Sequence, residues 1–222
     1  MSDQPRGLRG HLPSIAFVLL SSLCLAAIGG AFVYSGFYNI GADAPHSGMI
    51  YSTLERFRER AITHHARGIV VRADLRDAKR LAIGAGLYSE MCSGCHLGPG
   101  VEPSEISQGL YPPAPALARG TDRSAGEMFW IIKHGVKLSA MPAWGKTHSD
   151  DLIWDMVAFA QALPKMSPQQ YQAALASAPA DHDEMMKEMP GMSGMAGMKQ
   201  GELPKPKPTG HSHAPGTRPH QD

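Results

Sequence analysis

Five consecutive residues, Cys92-Ser93-Gly94-Cys95-His96, constrain this chain more than any other stretch. Two cysteines with two residues between them and a histidine directly after have the spacing of a c-type haem attachment site. Side chains at i and i+3 share a helix face, so one turn brings both thiols to neighbouring edge substituents of a single porphyrin. The imidazole that follows is a good ligand for its iron. Two other uses of a Cys-x-x-Cys pair fit less well. A thioredoxin-like redox pair belongs at a strand-to-helix junction, and tetrahedral zinc wants two more Cys or His ligands at motif spacing; neither is evident.

A chain of 222 residues, 43% hydrophobic and with three cysteines, holds one modest globular domain plus extensions and is not a disulfide scaffold. Its net charge of +1 argues against a nucleic-acid partner. Cys24, alone in an apolar run, reads as a small hydrophobe.

Residues 1–11 are polar and carry Arg6 and Arg9, whereas Leu12 to Phe37 contains no charged residue. A run of that length crosses about 30 Å of hydrocarbon as a helix. The expectation is a transmembrane anchor over 12–38 behind a cytoplasmic N-terminus, with everything downstream on the outer side. The rival reading is a cleaved signal peptide ending near Ala27-Ile28-Gly29; the apolar residues Ala31, Phe32, Val33 and Phe37 beyond it favour a retained anchor. Residues 39–73 form a linker. Its Gly41, Pro45 and Gly48 signal turns, and Leu54, Phe57, Ala61 and Ile62 recur at helical spacing among charged residues, predicting an amphipathic helix over 49–67. That helix would lie on a membrane surface, dock on a partner or pack on the downstream domain. His46, His64 and His65 read as solvated or capping residues rather than metal ligands.

Asp74 or Asp77 caps a predicted helix running to about Met91 with Leu81, Ala85 and Tyr88 on one stripe. Ser124 to His134 and Ser149 to Leu163 read as two more. Ser149, Asp150 and Asp151 suit a helix start, and Pro164 a stop. Pro112, Pro113 and Pro115 exclude a regular helix from the loop between 97 and 119.

Gly84 and Tyr88, eight and four residues before Cys92, together with Cys92, Cys95 and His96, resemble the N-terminal helix of class I c-type cytochromes. The resemblance covers residues 74–164 and implies an all-α fold around one covalent haem c. In that family the glycine and the aromatic meet the C-terminal helix, which places Trp154, Val157 or Ala158 near Gly84. Met141-Pro142-Ala143-Trp144-Gly145 resembles the family's methionine loop, so Met141 is the implied distal ligand opposite His96, with His134 as its rival. A thioether in that position favours ferrous iron. A proline followed two residues later by leucine, here Pro115 and Leu117, would supply a carbonyl to the far nitrogen of His96; Pro113-Ala114 is a competing register. Trp130 and Trp144 wall the haem or pack in the core, and Met91, Met128 and Met156 read as core. The implied function is single-electron transfer on the periplasmic face of a bacterial inner membrane. The chain would be no enzyme itself but a subunit or partner of a respiratory dehydrogenase or oxidase.

Residues 165–222 read as a disordered tail rich in Met, His and Pro. Met185, Met186, Met189, Met192, Met195 and Met198, followed by His211, His213 and His220, carry ligand types selective for copper. An exported copper-binding or copper-delivery protein is therefore the alternative function, set against a tail with no metal.

Overall fold

Short polar side chains set where most of the helices begin. A computed structural model describes residues 13–179 and is helical throughout, with no strand among them. Both the N-terminal arginines and the Met/His-rich run from Met185 fall outside the described residues. Helix α1 spans Ile15–Tyr34, α2 Gly48–Ala66, α3 Ala78–Met91, α4 Ser93–His96, α5 Glu105–Gln108, α6 Ala125–His134, α7 Asp150–Ala162 and α8 Pro168–Ala176. Ser14, Asp77, Ser104, Ser124, Ser149 and Ser167 each accept a backbone N–H from the first turn they precede, satisfying donors that no helix can pair internally. Ser124 with Glu127 and Ser167 with Gln170 form full capping boxes.

α1 is 20 residues long, carries no charge and has no buried residue. It is long and apolar enough to cross a bilayer, a test that signal sequences also pass.

The domain is built on the packing of α3 against α7. At their contact a Cβ on Gly84 would lie 2.1 Å from the Asp155 carbonyl oxygen and 2.9 Å from Phe159 Cβ, so only glycine admits the approach. The closest approach is made by Asp155 and Phe159, on the same helix as the expected neighbours Trp154, Val157 and Ala158. Arg80, one turn before Gly84, pairs with Asp155 and so fixes which face of α7 meets α3. Arg80 also reaches Asp74, which in turn binds Arg72, and Arg72 contacts Asp151. Trp154 instead stacks on Phe129 of α6, ring centres 4.3 Å apart, inside a core that includes Leu87, Met128, Ile132, Ile153, Met156 and Val157.

α2 packs on α6, the last of its three expected placements. Ile62 is buried, Glu59 binds Arg123 through both oxygens at 2.6 and 2.8 Å, and Thr63 Oγ1 donates to Glu127 Oε1 at 2.8 Å.

The expected end of the domain at Pro164 needs correcting, as does the tail expected to begin at 165. Pro164 does stop α7, but the chain makes one 3-10 turn at Leu163–Lys165 and restarts as α8 behind the Ser167 cap. Tyr171 of α8 is 1% exposed and joins Tyr88 and Phe159 in a second apolar cluster with Ala85, Cys92 and Leu163. Tyr171, with Ala174 and Leu175 packed beside it, holds this nine-residue helix to the domain.

Two stability predictions follow from this packing. Tyr171→Ala should cost about 3–5 kcal/mol, read by chemical denaturation. In the native chain burial raises the Asp155 carboxyl to about 6 despite Arg80. Arg80→Leu strands that carboxylate beside Asp151 and should cost about 3–5 kcal/mol near neutral pH. Because its folded pKa then lies further above the unfolded value, the penalty is present above the folded pKa and disappears as pH falls to about 4. Denaturation at neutral and mildly acidic pH should show the deficit shrinking in acid.

Candidate functional site

The segment that carries both thiols is an extension of α3. Past Met91 the backbone makes one more turn, α4, in which the N–H groups of Cys95 and His96 both donate to Cys92 O, at 3.1 and 2.8 Å. Leu97 ends it with φ of 59°. Side chains hold the turn from two directions: Tyr88 OH donates to Leu97 O at 2.7 Å, and Ser104 Oγ to Gly94 O at 2.5 Å. Gly98, just beyond, lies so close to the Tyr171 ring that a Cβ there would meet it at 2.5 Å. Cys92 is buried, and burial first, then Cys95, pushes its thiol up to about 12. Cys95 and His96 are partly exposed, and both thiols are free.

His96 Nδ1 stands 2.9 Å from the Pro115 carbonyl. A carbonyl only accepts, so Nδ1 carries the hydrogen and Nε2 keeps its lone pair. Burial lowers the imidazole pKa and the Pro115 contact offsets this only in part, which favours the neutral ring a metal requires. The carbonyl in that position is Pro115's, not one from the Pro113-Ala114 register. Leu117, opening the short turn Leu117–Arg119, packs on the core.

Met141 lies in a loop that braces itself. Val136 N–H donates to Met141 O at 3.1 Å, Met141 N–H to Ser139 Oγ at 3.2 Å, and Ser139 Oγ to Val136 O at 2.8 Å. The Met141 side chain is half-buried against the α6–α7 core, as is Trp144. Trp144 meets the buried His148 edge-on at 5.7 Å. Trp130 faces the other way, stacked on His65 of α2 at 5.6 Å and tilted against His134 at 5.2 Å. His134 is exposed. Met91, Met128 and Met156 pack in or against the core, and Cys24 is exposed on α1.

Gly135 was not singled out by the sequence reasoning, yet it positions the methionine loop. Its φ is +67°, and a Cβ on it would lie 2.7–2.9 Å from backbone atoms of Met141, Pro142 and Ala143. The signal was present: a glycine directly after a basic last turn ends a helix. Ser139 and Tyr171 carried no comparable sign.

Residues 79–159 match the family model described as Cytochrome C oxidase, cbb3-type, subunit III. The region is a c-type cytochrome domain. The match takes in α3, the Cys-x-x-Cys-His turn, the methionine loop and most of α7, and leaves α1, α2 and α8 outside. No curated protein and no solved structure matches the chain. The domain is a haem-containing electron carrier with an all-α, class I cytochrome fold, and such a carrier works by meeting redox partners.

The residues present suit the covalent haem that the family implies. Two free thiols sit one turn apart, and beside them a neutral imidazole has its inner nitrogen already engaged. A thioether is held in a separate, self-braced loop.

Gly135→Ala forces a left-handed backbone on a residue that disfavours it and drives a methyl group into the Met141 loop. A loss of about 1–3 kcal/mol is expected. Gly109→Ala, whose nearest contact is an ordinary 3.6 Å, should stay within about 1 kcal/mol of the parent. Parallel thermal melts of the two variants check this.

Proposed function

We propose that this chain is a membrane-tethered, single-haem electron carrier of the bacterial periplasm. In this reading Cys92 and Cys95 would hold the haem by thioether bonds, and His96, through Nε2, and Met141 would be the residues that bind its iron. The observation that carries it is the His96 Nδ1–Pro115 contact at 2.9 Å, which turns one ring nitrogen into a donor and leaves the other to bind.

When bound, the haem supplies a one-electron couple between ferrous and ferric iron. The chain's own residues do the rest. Pro115 holds the imidazole plane and, by accepting its hydrogen, makes His96 more basic. The bracing through Ser139 and Val136 keeps the Met141 backbone in place whichever charge the site bears, so little has to reorganise on transfer. Packing around Cys92 keeps water from the attachment side. With His96 and Met141 both committed, no position is left for a substrate, which is why the chain carries electrons rather than catalyses.

Residues 15–34 would be the tether. Their length and lack of charge support it, and Arg6 and Arg9 before them support an orientation with the cytochrome domain on the periplasmic side. The matched family is described as an oxidase subunit, and a respiratory oxidase or dehydrogenase is accordingly the partner class proposed here.

A pyridine haemochrome spectrum of the full chain should give one c-type haem per polypeptide, lost in Cys92→Ala/Cys95→Ala; a native chain without haem removes the proposal. Met141→Ala should abolish the weak sulfur-to-iron band in the red and lower the reduction potential. If band and potential both survive, Met141 is not the ligand.

A further inference from the structure

A semi-open cavity of about 840 Å³ lies between α2 and the domain, within the size range of small-molecule and cofactor sites. Its walls carry a distinctive set of polar groups. Arg58 and Lys137 contribute fixed positive charge, and His46, His65 and His134 contribute three imidazoles. Glu55 is the carboxylate among them and pairs with Arg58 at 3.0 Å; Glu59, outside the lining, also reaches Arg58 at 3.6 Å, so Lys137 is the cation of the pair not tied to a carboxylate by an ion pair among the described contacts. The remaining lining is apolar or aromatic, so the cavity is shaped for a largely apolar ligand with an anionic edge.

Its position relative to the haem-binding residues says which edge. No residue of the Cys92–His96 turn lines it. Tyr111 and Pro112, however, stand four and three residues before Pro115, and Val136 donates its N–H to the Met141 carbonyl. Residues of the two segments that lead to Pro115 and to Met141 thus line the cavity, while the thiols, His96 and Met141 themselves do not. A haem tethered by thioethers along one edge carries its two carboxylates on the opposite edge. Those carboxylates need cationic or hydrogen-bonding partners wherever they are drawn out of water.

We infer that α2, which lies outside the matched cytochrome region, is a strap over the carboxylate edge of the haem, with Arg58 and Lys137 the charges that receive it. This rests on the haem placement proposed above. The position of α2 is fixed independently of the cavity, by Ile62, the Glu59–Arg123 pair and the His65–Trp130 stack. A cation held there stabilises the reduced iron relative to the oxidised one, because oxidation adds a positive charge nearby. The element joining anchor to domain would in this way tune the potential of the electron carrier.

The test uses the full-length holoprotein. Arg58→Gln/Lys137→Gln should lower the equilibrium constant for haem reduction about tenfold, which is about 59 mV for a one-electron couple. It should also shift the redox-difference infrared bands of haem labelled with carbon-13 in its carboxylates. Lys165→Gln, a surface charge away from the cavity, should change neither. Lys137→Gln alone, at an exposed side chain that the fold does not need, should give a smaller shift of the same sign and guards against misfolding of the double variant. Unchanged potential and bands in both Lys137→Gln and the double variant, or an equal shift in Lys165→Gln, overturn the inference. Haemochrome stoichiometry on the same samples separates the two levels: haem absent from the parent sinks the haem placement, whereas haem present with an unmoved potential sinks only the strap.

Discussion

The contact of Gly84 with the Asp155 carbonyl is the constraint from which the other placements follow. A side chain at that point would force α3 and α7 apart, and with them the two halves of the site. α3 delivers the thiols and His96. α7 holds the floor on which Phe129, Trp144 and the Met141 loop rest. The close approach also explains why a charged pair is tolerated at its centre. Arg80 and Asp155 lie where the helices nearly touch, each mostly removed from water, so the pair specifies register more than it adds stability.

Around that crossing the polar groups act mainly as positioning devices. Pro115 fixes a ring nitrogen, Tyr88 ties down Leu97, Ser104 holds Gly94, and Ser139 braces Met141. Each joins a side chain to a backbone group across a short loop. Such bonds contribute about 0.5–1.5 kcal/mol singly, and their larger effect is geometric. A c-type cytochrome has few chemical steps to promote, so holding its residues still between charge states is most of what the polypeptide contributes.

How much of this was legible in the sequence follows from how local each determinant is. The Cys92–His96 turn, the Ser124 and Ser149 caps, Asp77 and the stop at Pro164 act within a few residues of themselves, and the helix limits they imply agree with the structure to within one or two positions. That Asp155 and Phe159 press closest on Gly84 was not legible, because the rotation of α7 about its axis depends on Arg80 meeting Asp155 across 75 residues, and periodicity records only which of its positions are apolar. α8 was hidden for a similar reason. Its helix is weakly amphipathic, and Tyr171 reads as an ordinary residue until Gly98 and Phe159 are brought alongside. The bracing of Met141 was invisible too, since a serine two residues upstream has no distinguishing pattern.

Helices α2 and α8 lie beyond the two ends of the matched region, yet both supply buried residues, Ile62 at 2% exposure and Tyr171 at 1%. The packed core is therefore wider than the matched region. Excised at residues 79 and 159, the cytochrome domain would lose the aromatic that seats Gly98 and the helix that covers Trp130, uncovering apolar surface on two sides. What packs together is a span from Gly48, where α2 begins, to Ala176, where α8 ends.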